Sequence, residues 1–204
     1  MRVLFMCVVL SFIVSCASNP RDFKVAEVEE GKGAFYGTFK LIVDGSADVG
    51  SCNLIFSDKN EEDQAFINID KTGFFIGSGK VGQNHLVRVA CLNGFSSRIF
   101  MIKNDKGIRF TNTGKGKMTY VGDITALYST RDESKAMYLL GGALAGALAA
   151  SDAEGKGQRL RFKVENNIKE ASKLYRKVVT TEGQLKVKRN LLKLPKASRI
   201  PASE

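Results

Sequence analysis

The fold is best indicated by residues 86–110, LVRVACLNGFSSRIFMIKNDKGIRF. From Leu86 to Leu92, successive side chains fall into two sets at the two-residue period of a β-strand. The turn residues Asn104–Gly107 separate two short apolar blocks, which is typical of a β-hairpin. Because short strands follow one another here without an intervening helix, we expect antiparallel sheets.

The same pattern extends from residue 34 to residue 128. Its apolar blocks are rich in Phe, Ile, Val and Tyr, which suit a pleated, half-buried surface. No proline interrupts the chain between Arg21 and Leu194, so the strand ladders can be continuous. We predict a mainly β protein: an antiparallel β-sandwich over residues 33–180, with one C-terminal α-helix and an inserted apolar helical segment.

Two elements are predicted after the sandwich strands. Residues 159–164 alternate again and indicate a late strand. Residues 166–179 are predicted to form the helix, because apolar side chains recur there at helical spacing. Those side chains belong to Ile168, Ala171, Leu174, Tyr175 and Val178.

The inserted segment spans residues 136–157, and Ala136 to Ala150 is apolar throughout. Gly142, Gly146 and Ala150 form a stripe of small residues that allows close helix packing, and it resembles the glycine-zipper segments of some envelope lipoproteins. Fifteen helical residues reach about 22 Å, which is marginal for a membrane span. The segment is therefore a buried helix of the domain, or a surface helix that contacts a partner or the bilayer.

Residues 1–15 have the order of a secretory signal: a positive start at Arg2, then a short apolar run. The end of this run, Ile13-Val14-Ser15-Cys16, resembles a bacterial lipobox. The resemblance implies that Cys16 is lipidated, carries acyl chains such as palmitate and begins the mature chain. Ala17 at the second mature position implies the outer membrane, by the sorting pattern of Gram-negative lipoproteins. Residues 16–32 would then be a lipid-anchored tether, and the alternative is an ordinary signal peptide.

The strand pattern also resembles strand-rich bacterial lipoproteins with a prealbumin-like or carboxypeptidase-regulatory-like sandwich. The resemblance rests on a Lys-x-Gly turn into an aromatic strand, the strand His85 to Cys91, the late strand Tyr120 to Ile124 and a helix rich in Glu and Lys. It covers residues 33–178 and implies a binding or structural module with no active site to carry over.

The charge is concentrated at the C-terminus. The chain carries a net charge of +10, and residues 156–204 hold 14 basic and 4 acidic side chains, so they account for the whole excess. Residues 181–204 are predicted to be a basic tail that contacts anionic head groups or an acidic partner. An exported chain does not ordinarily meet nucleic acid, so no such partner is expected, and the alternative is a solvated tail. The contact residues are Lys186, Lys188, Arg189 and Lys193.

Little in the sequence indicates catalysis. The only histidine, His85, is expected at a strand edge or surface, and no metal, cofactor or catalytic motif is predicted. Cys52 and Cys91 are an even pair in an oxidising compartment, which predicts a disulfide worth about 4 kcal/mol. The alternative for this pair is two separate buried thiols.

These observations predict an outer-membrane-anchored lipoprotein that faces the periplasm. It is held in the membrane through Cys16 and acts as a non-enzymatic binding or scaffolding module with an envelope protein as partner. The alternative is a periplasmic enzyme or small-ligand carrier with a cleft.

Overall fold

A computed structural model describes residues 20–47, 51–60, 62–93, 96–102, 108–114, 116–129, 160–178 and 186–194. Two β-sheets pack face to face in these residues, and a single α-helix covers the outer face of one sheet. The predicted β-sandwich with a C-terminal helix is therefore confirmed. The predicted insertion at 136–157 lies outside the described residues.

Sheet I has β1 at its centre. One edge of β1 pairs with β9, and the other edge pairs with β5 and β2. The far edge of β9 pairs with β11 along its first half and with β10 along its second half. The pairs β1–β9 and β11–β9 are parallel, which departs from the antiparallel expectation. The strands of sheet I are β1 (Lys32–Val43), β2 (Ser46–Ala47), β5 (Phe74–Lys80), β9 (Lys117–Tyr128), β10 (Arg161–Glu165) and β11 (Lys186–Arg189).

Sheet II is antiparallel throughout its described pairs and has the order β4–β3–β6, with β7 and β8 on the far edge of β6. β7 pairs with the second half of β6 and β8 with the first half, so these two strands follow one another along the same edge. The predicted hairpin at Asn104–Gly107 is therefore wrong, because both flanking strands pair with β6. The strands of sheet II are β3 (Ser51–Asp58), β4 (Gln64–Asn68), β6 (Gly82–Asn93), β7 (Ser96–Met101) and β8 (Ile108–Asn112).

A β-bulge in β9 switches which of its side chains face the sandwich interior. Tyr120 and Gly122 are opposite consecutive residues of β1, which leaves Val121 as the extra residue. Tyr120 therefore points to the outer face of sheet I, whereas Ile124, also even-numbered, points into the core between the sheets. Gly122 has a φ of 113°, a conformation that favours glycine.

A second core lies on the outer face of sheet I. Helix α1 (Ile168–Val178) and two short 3₁₀ turns, Pro20–Asp22 and Val25–Glu27, supply its outer layer. Sheet I is thus covered on both faces, and part of the predicted tether 16–32 packs on the domain. The buried members of this core are Val25, Val28, Ala34, Tyr36, Phe74, Ile76, Met118, Tyr120 and Ala171.

Hydrogen bonds from two buried tyrosines fix helix α1 on sheet I. The Tyr120 hydroxyl donates to Asp123 Oδ1 at 2.8 Å and accepts from the backbone N–H of Asn167 at 3.1 Å. The Asn167 side chain in turn donates to Asp123 Oδ2 at 3.0 Å. Burial, together with the Asp123 carboxylate, holds the pKa of Tyr120 well above its ordinary value. The Tyr36 hydroxyl lies 3.2 Å from Ser172 Oγ, one turn further along the helix.

The segment after β11 joins the two sheets. The Leu192 N–H donates to the Val121 carbonyl at 2.8 Å, and its buried side chain enters the core between the sheets. Lys193 then exchanges two backbone hydrogen bonds with Arg109 of β8, at 2.7 and 3.2 Å. Residues 186–194, which the sequence placed in a basic tail, are therefore part of the sandwich.

Candidate interaction surfaces

The predicted disulfide between Cys52 and Cys91 is present. The two residues are directly opposite on β3 and β6, with their Cα atoms 4.0 Å apart. The Cys52 carbonyl accepts from Ile69 N–H on its other side, so the bridge joins a non-hydrogen-bonded pair, in which opposing side chains come closest. Because both cysteines are buried in the core, the bridge is a structural link between β3 and β6.

The outer face of sheet II carries large apolar side chains that remain exposed. Ile99 and Met101 of β7 are 48% and 56% exposed, while Phe100 between them points into the core. Leu92 of β6 is 56% exposed and Phe66 of β4 is 38% exposed on the same face. We call these four side chains the apolar face. An exposed group of this kind is typical of a contact surface.

Two rows of residues cross the apolar face. One row runs from Phe66 through Ile55 and Arg88 to Met101, and the Arg88 Nε donates to the Met101 sulfur at 3.2 Å. The neighbouring row runs from Asn68 to Ile99. This surface was not predicted, because residues 99–102 form one uninterrupted apolar block in the sequence. Strand pairing puts Phe100 in the core and Ile99 and Met101 outside, and the sequence of this block carries no polar alternation that would indicate it.

The four predicted cationic contact residues are brought together with two others. Lys186, Lys188 and Arg189 lie exposed on β11, and Lys186 is in register with Lys117 of β9. Lys193 lies opposite Arg109, which is also exposed. We call these six residues the basic seam, because they follow the line where the C-terminal segment joins the two sheets. Lys117 and Arg109 are distant in sequence, and only the strand register shows that they belong to it.

The cations of the basic seam lack acidic partners within the described part of the chain. None of the six has a carboxylate oxygen within 4.0 Å there. Elsewhere on the surface such pairs do form, for example between Lys173 and Glu170 at 2.7 Å. The seam is thus an exposed concentration of positive charge that is not neutralised by the described residues.

One acidic side chain is buried at the far end of β3. The Asp58 carboxylate accepts hydrogen bonds from Lys80 Nζ at 3.1 Å and from the backbone N–H groups of Glu62 and Asp63 at 2.9 and 3.3 Å. Burial alone would raise the pKa of Asp58, but these hydrogen bonds outweigh burial and lower it. The carboxylate is therefore held ionised as a structural connection between β3 and β5.

Histidine and metal chemistry find little support in the described residues. His85 is buried in the central strand β6, so its predicted edge or surface position is wrong, because Ser57 and Arg109 flank it on neighbouring strands. Within the described ranges, no three His, Cys, Asp or Glu side chains are grouped so that they could hold a metal ion.

The buried Asn112 amide donates to the carbonyls of Gly33 and Gly79, at 2.7 and 2.8 Å, and connects β8 to sheet I.

The remaining predicted site residues, Cys16, Gly142, Gly146 and Ala150, lie outside the described residues. Among the residues that the structure does describe, no helix is both long enough and apolar enough to cross a membrane. Comparison of the chain with protein-family models, with curated proteins and with solved structures found no match.

Proposed function

We propose that this protein is a lipoprotein anchored in the outer membrane through Cys16, facing the periplasm, and that it acts as a non-enzymatic scaffolding module for an envelope protein. The lipobox-like residues Ile13–Cys16 support the anchor. The apolar face of sheet II supports the scaffolding role and is the observation on which that role depends.

The two sheets differ in how much of their outer faces is covered. Sheet I buries its outer face under α1 and the N-terminal turns, whereas sheet II leaves Leu92, Ile99 and Met101 about half exposed. Exposed apolar area is unfavourable in water at about 25 cal/mol per Å² and becomes favourable when a partner covers it. A protein partner with a complementary apolar surface accounts for this difference.

The packing of the interior favours binding at an outer surface over binding in a cleft between the sheets. Phe35 lies between Phe56 and Phe110, with ring centroids 5.1 and 4.8 Å away, and Phe56 and Phe110 contact each other at 5.6 Å. These rings belong to the core between the two sheets. Binding by this domain therefore involves its outer faces.

The position of the domain also suits an anchored scaffold. Pro20 is already buried on the domain, only four residues after Cys16. Four extended residues span at most about 14 Å. A lipid on Cys16 would therefore hold the sandwich close to the bilayer and limit how far the apolar face can move from it.

The test places a charge on the apolar face. In the full chain expressed in a Gram-negative host, we expect Ile99→Asp with Met101→Asp to abolish co-purification of the envelope partner from mild detergent. Stability should change by less than about 0.5 kcal/mol per substitution, because both side chains are exposed. Val81→Asp is the matched control, since Val81 is 47% exposed but follows β5 of sheet I.

Quantitative mass spectrometry of the purified material decides the outcome. Partners retained by Val81→Asp and lost by the double variant would support the scaffold. Equal recovery of every envelope protein with all three chains would contradict it.

A further inference from the structure

We infer that the basic seam binds the anionic head groups of a phospholipid bilayer. The seam consists of Lys117, Lys186, Lys188, Arg189, Arg109 and Lys193. This inference rests on the proposed anchoring at Cys16 and adds a second membrane contact, made by the folded domain itself.

Like charges lie opposite one another along the basic seam. Lys186 is in register with Lys117, and Lys193 is in register with Arg109, so two cation pairs occur along one short segment. Like charges directly opposite on neighbouring strands are destabilising. An anionic surface that lies across both pairs removes this repulsion.

The shape and chemistry of the seam also suit a membrane surface. From Lys186 to Lys193 an extended chain covers about 23 Å, so the cations form a strip and not a pocket. Four of the six are lysines, which act as mobile point charges and do not require the fixed fork geometry that arginine uses for one carboxylate or phosphate. Such a strip suits a fluid array of phosphate groups better than a single acidic side chain.

The proposed anchor would also keep the seam near the membrane. The N-terminal turns, helix α1 and Leu191, which follows β11, all contribute to the second core. The turn Pro20–Asp22 contacts β5 at one edge of sheet I, and β11 forms the other edge beyond β9, so the attachment point and the seam lie at opposite edges of the same sheet. Because the link from Cys16 to Pro20 is at most about 14 Å, the anchor keeps the whole domain, and with it the seam, within one domain width of the bilayer. Each cation near such a surface then favours the docked state about five-fold.

The experiment uses the full chain in vesicles and a fluorophore on the seam. If Cys16 is lipidated and Cys52 is bonded to Cys91, the mature chain has no free thiol, and Val187→Cys on β11 supplies the only one. A fluorophore on this thiol is read against a nitroxide quencher carried on the lipid head group. The vesicles contain either phosphatidylethanolamine with phosphatidylglycerol or phosphatidylcholine alone.

The expected result is strong quenching in the anionic vesicles that is lost in phosphatidylcholine and at high salt. K186E with K188E and R189E should remove the quenching in anionic vesicles. Ile99→Cys is the matched control, because Ile99 is similarly exposed on an edge strand of the other sheet, and its label should respond equally to both vesicle types.

Equal quenching of the seam label in both vesicle types would overturn the inference. So would quenching that stays the same at high salt and after charge reversal. The lysines would then serve only to protect the edge strand β11 from pairing with other chains, or to bind an acidic protein. Failure of the anchoring would be detected separately. An unlipidated Cys16 would leave a free thiol, and the parent chain would then take up the label. In that case the comparison is repeated with Cys7→Ser and Cys16→Ser, and it still decides the role of the seam.

Discussion

The two outer faces of the sandwich differ in how they are covered, and the difference can be traced to short stretches of sequence. In sheet I, successive residues of β1 and β5 are apolar, as in Phe35-Tyr36 and Phe74-Phe75, and each pair buries one ring on each face. In sheet II, β6 alternates from Arg88 to Leu92, with Arg88 on the outer face and Val89 and Cys91 in the core. Continuous apolar runs thus mark a sheet covered on both faces, whereas alternation marks a face left open.

The comparison also separates two kinds of surface. The outer face of sheet II is open and partly apolar, whereas the edge of sheet I at β11 is open and cationic. The first suits a protein partner and the second an anionic membrane. One small domain can therefore carry two contacts without sharing residues between them.

The largest difference in the loss of stability is expected between truncating a buried ring on sheet I and truncating an exposed side chain on sheet II. Tyr120→Ala should lower the free energy of unfolding by about 3–5 kcal/mol, because it empties the second core and removes the hydrogen bonds to Asp123 and Asn167. Met101→Ala should change it by less than about 0.5 kcal/mol. Urea denaturation of both variants measures this, and similar losses would mean that the face of sheet II is covered.

The disulfide is expected to matter next, because sheet II is packed on one face only. Replacing both Cys52 and Cys91 by alanine should cost about 2–4 kcal/mol, as is typical for a bridge that closes a long loop. Urea denaturation with and without reductant is the measurement. The parent chain should lose stability on reduction, whereas the stability of the double variant should not change. A parent chain equally stable with and without reductant would contradict the prediction.

The C-terminal segment should behave as part of the sandwich. Leu192→Ala removes a buried side chain between the sheets and should cost about 2 kcal/mol. Val187→Ala, on the exposed part of the same segment, is the control and should cost less than about 0.5 kcal/mol. If the two variants unfold at the same urea concentration as the parent, residues 186–194 add nothing to the fold.

The smallest effect concerns pH and the carboxylate of Asp58. Its folded pKa is lowered, so its contribution to stability is complete above the unfolded pKa of about 3.9 and is lost as the pH falls through the folded pKa. Between pH 6 and pH 3 the parent should therefore lose more stability than Asp58→Asn. Urea midpoints at the two pH values test this, and identical losses would exclude a role for Asp58.

The local elements could be predicted from sequence because their signals are local. The pattern in Leu86–Leu92 and the helical spacing of apolar residues in 168–178 identified a strand and a helix. The strict alternation predicted from Leu86 is wrong at its start, because a β-bulge leaves Val87 as an extra residue and puts Leu86 in the core with Val89 and Cys91. The Cys52–Cys91 bridge followed from counting cysteines and was confirmed. The parallel pairing of β1 with β9 was not predictable, because no local turn joins two strands so far apart in sequence.

The surfaces were harder to predict because they depend on register. Lys117 and Arg109 join the basic seam only through their partners in the C-terminal segment. That segment was interpreted as a tail because its basic residues outweighed the adjacent Leu191 and Leu192, which enter the two cores. The bulge at Val121 likewise changes which face the following residues occupy, and no pattern in the sequence reveals it.

The central claim, that the domain is held at the outer membrane through Cys16, is tested most directly by the intact mass of the protein purified from the envelope. The account predicts a chain that has lost residues 1–15 and carries diacylglycerol and an additional acyl group on Cys16, and no such species from Cys16→Ser. A parent chain that retains residues 1–15, or one that begins elsewhere with an unmodified Cys16, would contradict it.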